Sequence, residues 1–342
     1  MTTEASNLGK QDFEPIIVAI RENDRQTFID HMEKLSVTEL NATNTIRYAS
    51  WFSGLGATLL QLTSFVRPEF ARILLDRGAA WDLHSACALS DTKVIQDQLK
   101  DPSRLESQID GYFPMQFALG QPNAVRMLVE YGDAPNRSIQ KLAWFEWEDV
   151  AAEAEISDWT PMHMLALGRG DEPHVNVADA LREYGADITS SSTPFGQAPI
   201  HLSAITDRRH LISWFVKNGC PVDIRTKPLH SNEAAVAQLF PTEPFGPFFS
   251  TSEKTALMCA TGEGHFASVK LLLELGADVS AADSAGFTAL HYAAGSFWRE
   301  QSEIVELLLQ RGAQPAKTSE DGARPADIAN GKGYGAVLKL LK

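Results

Sequence analysis

Cysteine, basic charge and long apolar runs are what this sequence has least of. Its three cysteines, Cys87, Cys220 and Cys259, are far apart and form no CxxC pair. A disulfide framework is therefore excluded, and a reducing compartment is expected. Each thiol sits in or just after an apolar helical stretch, which predicts buried or half-buried side chains. The 30 basic residues face 44 acidic ones, a formal charge of −14. Such a surface repels phosphate backbones and anionic lipid, so neither nucleic acid nor membrane is expected as the main partner. No apolar run approaches the length that spans a bilayer. Met1 to Phe13 lacks the charged and apolar regions of a signal peptide. The expected location is cytoplasmic. With 44% hydrophobic and 22% charged residues, the chain has the composition of an ordered, well-buried globule.

What the sequence does contain is repetition. Thr255-Ala-Leu-Met-Cys-Ala leads through Gly264-His265 to Val269-Lys-Leu-Leu-Leu-Glu-Leu-Gly-Ala-Asp278. The pattern returns as Thr288-Ala-Leu-His-Tyr-Ala-Ala294 and Ile304 to Ala313, with Thr255 and Thr288 33 residues apart. A threonine before an apolar run caps a short helix by accepting from its unpaired amides. Small alanines let that helix pack closely. A leucine-rich second helix ends at a glycine, which adopts the left-handed conformation cheaply. One such unit cannot bury its own apolar face, so stacking must supply the core.

These motifs resemble the ankyrin pattern T-P-L-H-x-A-A, then G-H, then V-x-x-L-L-x-x-G-A-D. Weaker copies continue upstream: Pro199-Ile-His201 with Trp214 to Gly219, Thr160-Pro-Met-His163 with Val177 to Asp187, and Pro114 to Ala118 with Ala124 to Gly132. Further copies are Asp82 to Lys100 and Thr58 to Leu62 with Phe70 to Ala79. Residues 13–35 read as an N-terminal cap and 323–342 as a C-terminal cap. About nine units are expected, making residues 1–342 a single all-α, ankyrin-like helical-repeat solenoid. The glycines Gly78, Gly132, Gly185, Gly219, Gly276 and Gly312 set the register.

Two insertions, 136–157 and 225–252, depart from a plain stack. The first carries Trp144, Phe145 and Trp147 with Glu146, Glu148 and Asp149; the second carries Phe245, Phe248 and Phe249. Loops this long are usually functional or disordered, and aromatics argue against disorder. Adjacent repeats stack at about 10 Å, so the roots of loops two units apart are expected roughly 20 Å apart on one edge. Aromatic arms there would lid a pocket over the concave face, or would pack down and shield the stack edge.

The resemblance implies a protein-binding module that uses its hairpin tips and inner helices. Carried onto this sequence, it names Arg169, Asp207 and Arg208 on the inner face, with Phe297 and Trp298 in an irregular turn. It names Trp81, Trp159, Phe195 and Phe287 at hairpin tips, where Phe287 also has neighbours to pack against. His163, His201 and His291 occupy the histidine position of the signature, which implies hydrogen bonds tying adjacent loops together; His265 belongs to the Gly-His turn. Positions Thr189, Arg225 and Ser280 depart from the asparagine that follows many Gly-Ala-Asp endings.

No GxSxG elbow, HxxxH or HExxH is present, and Asn330 to Gly335 reads as a turn, not a phosphate loop. Neither a cofactor nor a metal is expected. An alternative remains: an enzyme acting on a small organic substrate in a central pocket, where a carboxylate among tryptophans has a raised pKa. Its candidates are Glu146, Glu148, Asp149 and Asp158, with His163 or His230 as partner. The preferred reading is recognition of another protein through the concave face and the aromatic, acidic loops.

Overall fold

The computed structural model describes residues 10–43, 57–109, 111–139, 159–168, 175–193, 196–227, 252–296 and 299–342. These residues are helical throughout and form no strand; isolated bridges such as Ala282 with Thr288 join the ends of hairpins. In chain order the helices are α1 (Lys10–Glu22), α2 (Arg25–Met32), α3 (Val37–Leu40), α4 (Leu59–Val66), α5 (Pro68–Asp76), α6 (Leu83–Leu89) and α7 (Thr92–Gln98). They continue with α8 (Pro114–Phe117), α9 (Pro122–Glu130), α10 (Pro161–Leu167), α11 (Val175–Glu183), α12 (Pro199–Ile205) and α13 (Arg209–Lys217). The last are α14 (Ala256–Glu263), α15 (Phe266–Glu274), α16 (Ala289–Ala294), α17 (Ser302–Gln310), α18 (Pro325–Lys332) and α19 (Gly335–Leu340).

Contacts divide the chain into two compact units. One comprises Met1–Glu148 with Asn176–Ala186, the other Asp149–Val175 with Asp187–Lys342. In the first, α4 packs on α6 and α6 on α8, while α7 packs on α9. Phe28 of α2 and Phe70 of α5 stack with ring centroids 4.6 Å apart, and Ile16, Ile17 and Ile20 of α1 are buried. In the second, the first helices form a row, α10 on α12, α14, α16 and α18 in turn. The second helices α13, α15, α17 and α19 form a row of their own. Small residues permit this close approach: Ala86, Ala118, Ala166, Ala204, Ala260, Ala293 and Ala329 are all buried near the ends of first helices.

Local chemistry sets the length of each helix. Thr58 caps α4 by accepting from the Gln61 amide at 3.2 Å, and Thr255 caps α14 by accepting from Met258. The six register glycines end their helices at φ of 91°, 105°, 87°, 94°, 92° and 94°. That is the left-handed region, where a side chain is strained. Of the Asn330–Gly335 segment, Asn330–Lys332 end α18, Gly333 (φ 74°) and Tyr334 make the turn, and Gly335 opens α19. Cys87 and Cys220 are buried and Cys259 half-buried. No described helix is long and apolar enough to cross a membrane.

Candidate functional site

The geometry begins with three buried histidines in the first turns of α10, α12 and α16. His163 Nδ1 accepts from the Thr160 amide at 3.2 Å and the Thr160 hydroxyl at 2.8 Å. Its Nε2 faces the carbonyls of Ser190 and Gln197 at 2.9 and 3.1 Å, so the proton must sit on Nε2 and be donated there. His201 repeats the arrangement. Its Nδ1 accepts from Ala198 N, and Nε2 donates to Ile224 O at 2.9 Å and Lys254 O at 3.0 Å. His291 accepts from Thr288 and donates to Ala323 O. Burial pushes His163 and His201 down to about 4 and also lowers His291, so all three are neutral at neutral pH. His265 plays a related part, donating to Ile205 O at 2.8 Å.

His201 also bears on the second insertion. Its two carbonyl partners lie on either side of residues 225–252, and they are not its only link. Thr226 N donates to Lys254 O at 2.9 Å, Glu253 N to Thr226 O at 3.0 Å, and Lys254 N to Thr226 Oγ1 at 2.9 Å. Arg225 Nη1 reaches the carbonyls of Glu253 and Ala282. Lys227 N donates to Gly196 O, and the two backbones are so close that a Cβ on Gly196 would lie 2.4 Å from Lys227 O. The insertion thus leaves and re-enters the fold at one hydrogen-bonded point. The first insertion starts from a comparable anchor. Arg137 forks onto Glu106 at 2.8 and 2.9 Å, pairs with Asp133, and lies over the Phe113 ring at 4.7 Å. Gln116 holds the Arg137 carbonyl at 3.2 Å, and Ile139 is buried.

Ankyrin repeats (3 copies) match residues 229–319 as a family. The crystal structure of the ankyrin repeat domain of Bcl-3 superposes with a TM-score of 0.53 at 19% identity, covering 77% of this chain and 98% of that one. Residues 229–319 are thus ankyrin repeats, and the fold is that of an ankyrin repeat domain. The chain is 32% identical over 131 residues to protein HOS4 of Saccharomyces cerevisiae, across 36% of this chain and 12% of HOS4. It is 30% identical over 162 residues to NF-kappa-B inhibitor alpha of Gallus gallus, across 43% of this chain and 50% of that protein. The chain therefore spans half or less of the length of these two relatives.

Within this ankyrin-repeat fold the expected recognition residues fall into separate groups. Trp159, one of the hairpin-tip residues, is 6% exposed and lies edge-on to His163, with centroids 6.2 Å apart. Phe287 is likewise buried, packing with Met258, Ala281 and Tyr292 and set edge-on to His291. Trp81 is half-buried. Asp207, in a left-handed turn at φ 56°, accepts from Ser268 Oγ at 2.6 Å, and Arg209 lies 3.8 Å away. The neighbouring Arg208 runs along Gly168, its guanidinium 3.4 Å from where a Cβ there would stand. Trp144, Phe145, Trp147, Arg169, Phe195, Phe245, Phe248, Phe249, Phe297 and Trp298 lie outside the described residues. So do Glu146, Glu148, Asp149, Asp158 and His230, the candidates for acid/base chemistry. The remaining candidate, His163, is fully buried with both ring nitrogens engaged, so it presents no lone pair to a substrate.

Sequence reasoning missed some polar residues that hold the hairpins. Asp283 accepts from the Phe287 and Ala285 amides, both at 2.9 Å, and from the Tyr292 hydroxyl at 2.8 Å. An aspartate four residues before an aromatic that precedes a capping threonine is the readable signal. The Arg137–Asp133 pair, spaced i,i+4, was likewise legible. The Arg137–Glu106 contact, 31 residues apart, was not.

Proposed function

We infer that this chain is a recognition module for another protein, binding through the concave face of its repeats and through the two inserted segments. The observation that carries this reading is the way the second insertion is rooted. A segment joined to the fold by the Thr226–Lys254 bonds and the His201 bridge is held at its base. A rigid scaffold presenting variable loops is the general arrangement of a binding protein. The aromatics of both insertions are the residue types that dominate interface energetics, and the acidic run beside Trp144 and Trp147 favours a partner with basic or apolar surface. One repeat domain over residues 1–342, acting in the cytoplasm without nucleic acid or membrane, is the matching organisation. A small organic ligand in a pocket beneath the loops remains the subordinate reading.

The test is a double substitution, Trp144→Ala with Trp147→Ala, followed by quantitative capture of bound proteins from the source cells and a circular-dichroism melt. Loss of a reproducibly captured partner with an unchanged melt is the expected result. Full retention of that partner refutes the assignment of the first insertion.

A further inference from the structure

We propose that a cleft on the N-terminal unit, lined by Arg25, Pro68, Arg72, Ala88 and Leu89, docks an acidic segment of a partner protein. The proposal goes beyond the reading above, since it concerns neither insertion and predicts a partner charge of the opposite sign. The cleft has a volume of about 340 Å³, enough for one or two side chains. It forms where α2, α5 and α9 begin and α6 ends, so its lining comes from four successive helical pairs of one unit. Pro68, Ala88 and Leu89 are its apolar lining, and Glu69 and Gln121 line it as well.

The arginines set the choice of partner. Several arginines elsewhere on this acidic chain lie against carboxylates: Arg126 on Glu183, Arg137 on Glu106 and Asp133, Arg225 by Glu253, and Arg324 on Asp327; Arg182 and Arg311 are exposed and make no ion pair among the described residues. Among the described residues, Arg25 and Arg72 are exposed and make no ion pair; Glu69, which also lines the cleft, pairs with neither. Two unpaired guanidiniums on one cleft form a local basic spot on a chain of net charge −14. A carboxylate between them makes charge-assisted, fork-like hydrogen bonds, and an adjacent apolar side chain covers the apolar lining. A nucleic acid would spread its phosphates over the surrounding acidic surface, whereas a short acidic segment confines its charge to the cleft, so a protein carboxylate fits better than a nucleic acid.

Fluorescence anisotropy with the full chain tests this, using a fluorescein-labelled peptide of alternating leucine and glutamate, its glutamine counterpart and a short single-stranded oligodeoxynucleotide. The glutamate peptide is expected to bind in a salt-sensitive manner. Arg25→Ala with Arg72→Ala is expected to weaken it by roughly tenfold or more, with the melt unchanged because both side chains are exposed. A second variant, Leu89→Glu, places a carboxylate in the apolar lining and is expected to abolish binding. The proposal is overturned if the glutamate peptide does not bind, if the double variant binds it equally, or if the glutamine peptide or the oligonucleotide binds as tightly. The Trp144, Trp147 variant should retain peptide binding, so this failure and that of the loop reading are distinguishable.

Discussion

Mild acid should destabilise this protein through His163 and His201. Both are held neutral, with a folded pKa of about 4 against an ordinary value of 6.5, because burial disfavours the imidazolium. Their hydrogen bonds to backbone carbonyls pull the other way without overcoming it. The unfolded chain therefore binds these protons more readily than the folded one between pH 6.5 and 4. Stability is intact above pH 6.5 and falls as the pH drops through that window. Each histidine contributes a slope of about 1.4 kcal/mol per pH unit. At pH 5 the loss is about 2 kcal/mol per histidine, or about 4 kcal/mol for the pair. That is a large fraction of the 5–15 kcal/mol that typically separates folded from unfolded chains. His291 shifts in the same direction and adds to it.

The carboxylates separate from this effect by their range. Asp24, Glu39, Asp97, Asp101, Glu106 and Asp327 are held below their ordinary values, first of all by hydrogen bonds to neighbouring side chains. Their stabilisation is present above the unfolded values and is lost only at lower pH, as each folded value is passed. Asp133 and Asp223 are raised by burial and act in the opposite sense, favouring the folded state as they protonate. Urea unfolding followed at 222 nm between pH 7.5 and pH 5, for the intact chain and for His163→Gln with His201→Gln, makes the comparison. The double variant should be less stable at pH 7 yet lose much less on going to pH 5. An intact chain equally stable at pH 7 and pH 5, or a variant with an unchanged slope, would refute the assignment.

Two further substitutions probe the anchors of the insertions. Gly196→Ala places a Cβ 2.4 Å from the Lys227 carbonyl at a backbone φ of +60°, and should cost about 2 kcal/mol or more and loosen the base of the second insertion. Gly132→Ala, with open space around its Cβ, should cost only the left-handed strain, about 1 kcal/mol; equal losses in the two melts would contradict the close approach. Arg137→Ala removes the cation from the buried Asp133 and should destabilise by about 3 kcal/mol, recovered in part by Asp133→Asn; additive losses in chemical denaturation would count against that pairing.

The parts of this fold legible in the sequence are those in which one repeat determines its own geometry. A threonine three residues before a histidine, an alanine near the end of a first helix and a glycine after a leucine run each act within one unit. The structure places Thr160 and His163, Ala204 and Gly276 accordingly. What was not legible depends on distant pairing. Nothing in the local sequence says that Thr226 meets Lys254, 28 residues on, or that Arg25 and Arg72 line one cleft. The burial of Trp159 was illegible for a related reason. A tryptophan at a hairpin tip reads as a contact residue by type, but the first turn of α10 places His163 beneath it, and a large ring gains more by covering a buried imidazole than by facing water.

Pairing, more than position, then separates scaffold from recognition surface in this chain. Where a polar side chain has its partners within the protein, as with His201 between Ile224 and Lys254 or Asp283 beneath Phe287, removing it leaves a buried group unsatisfied and the fold bears the loss. Where a charged side chain is exposed with no partner among the described residues, as with Arg25 and Arg72, the described fold gains nothing from its charge. The same criterion treats Asp207 as structural, because Ser268 and Arg209 engage it, despite its place in a turn where the repeat pattern suggests recognition. His201 links the two roles. It belongs to the scaffold, yet it bridges the ends of the segment proposed to contact a partner, so a proton on His201 would weaken the fold and unfasten that segment at the same pH.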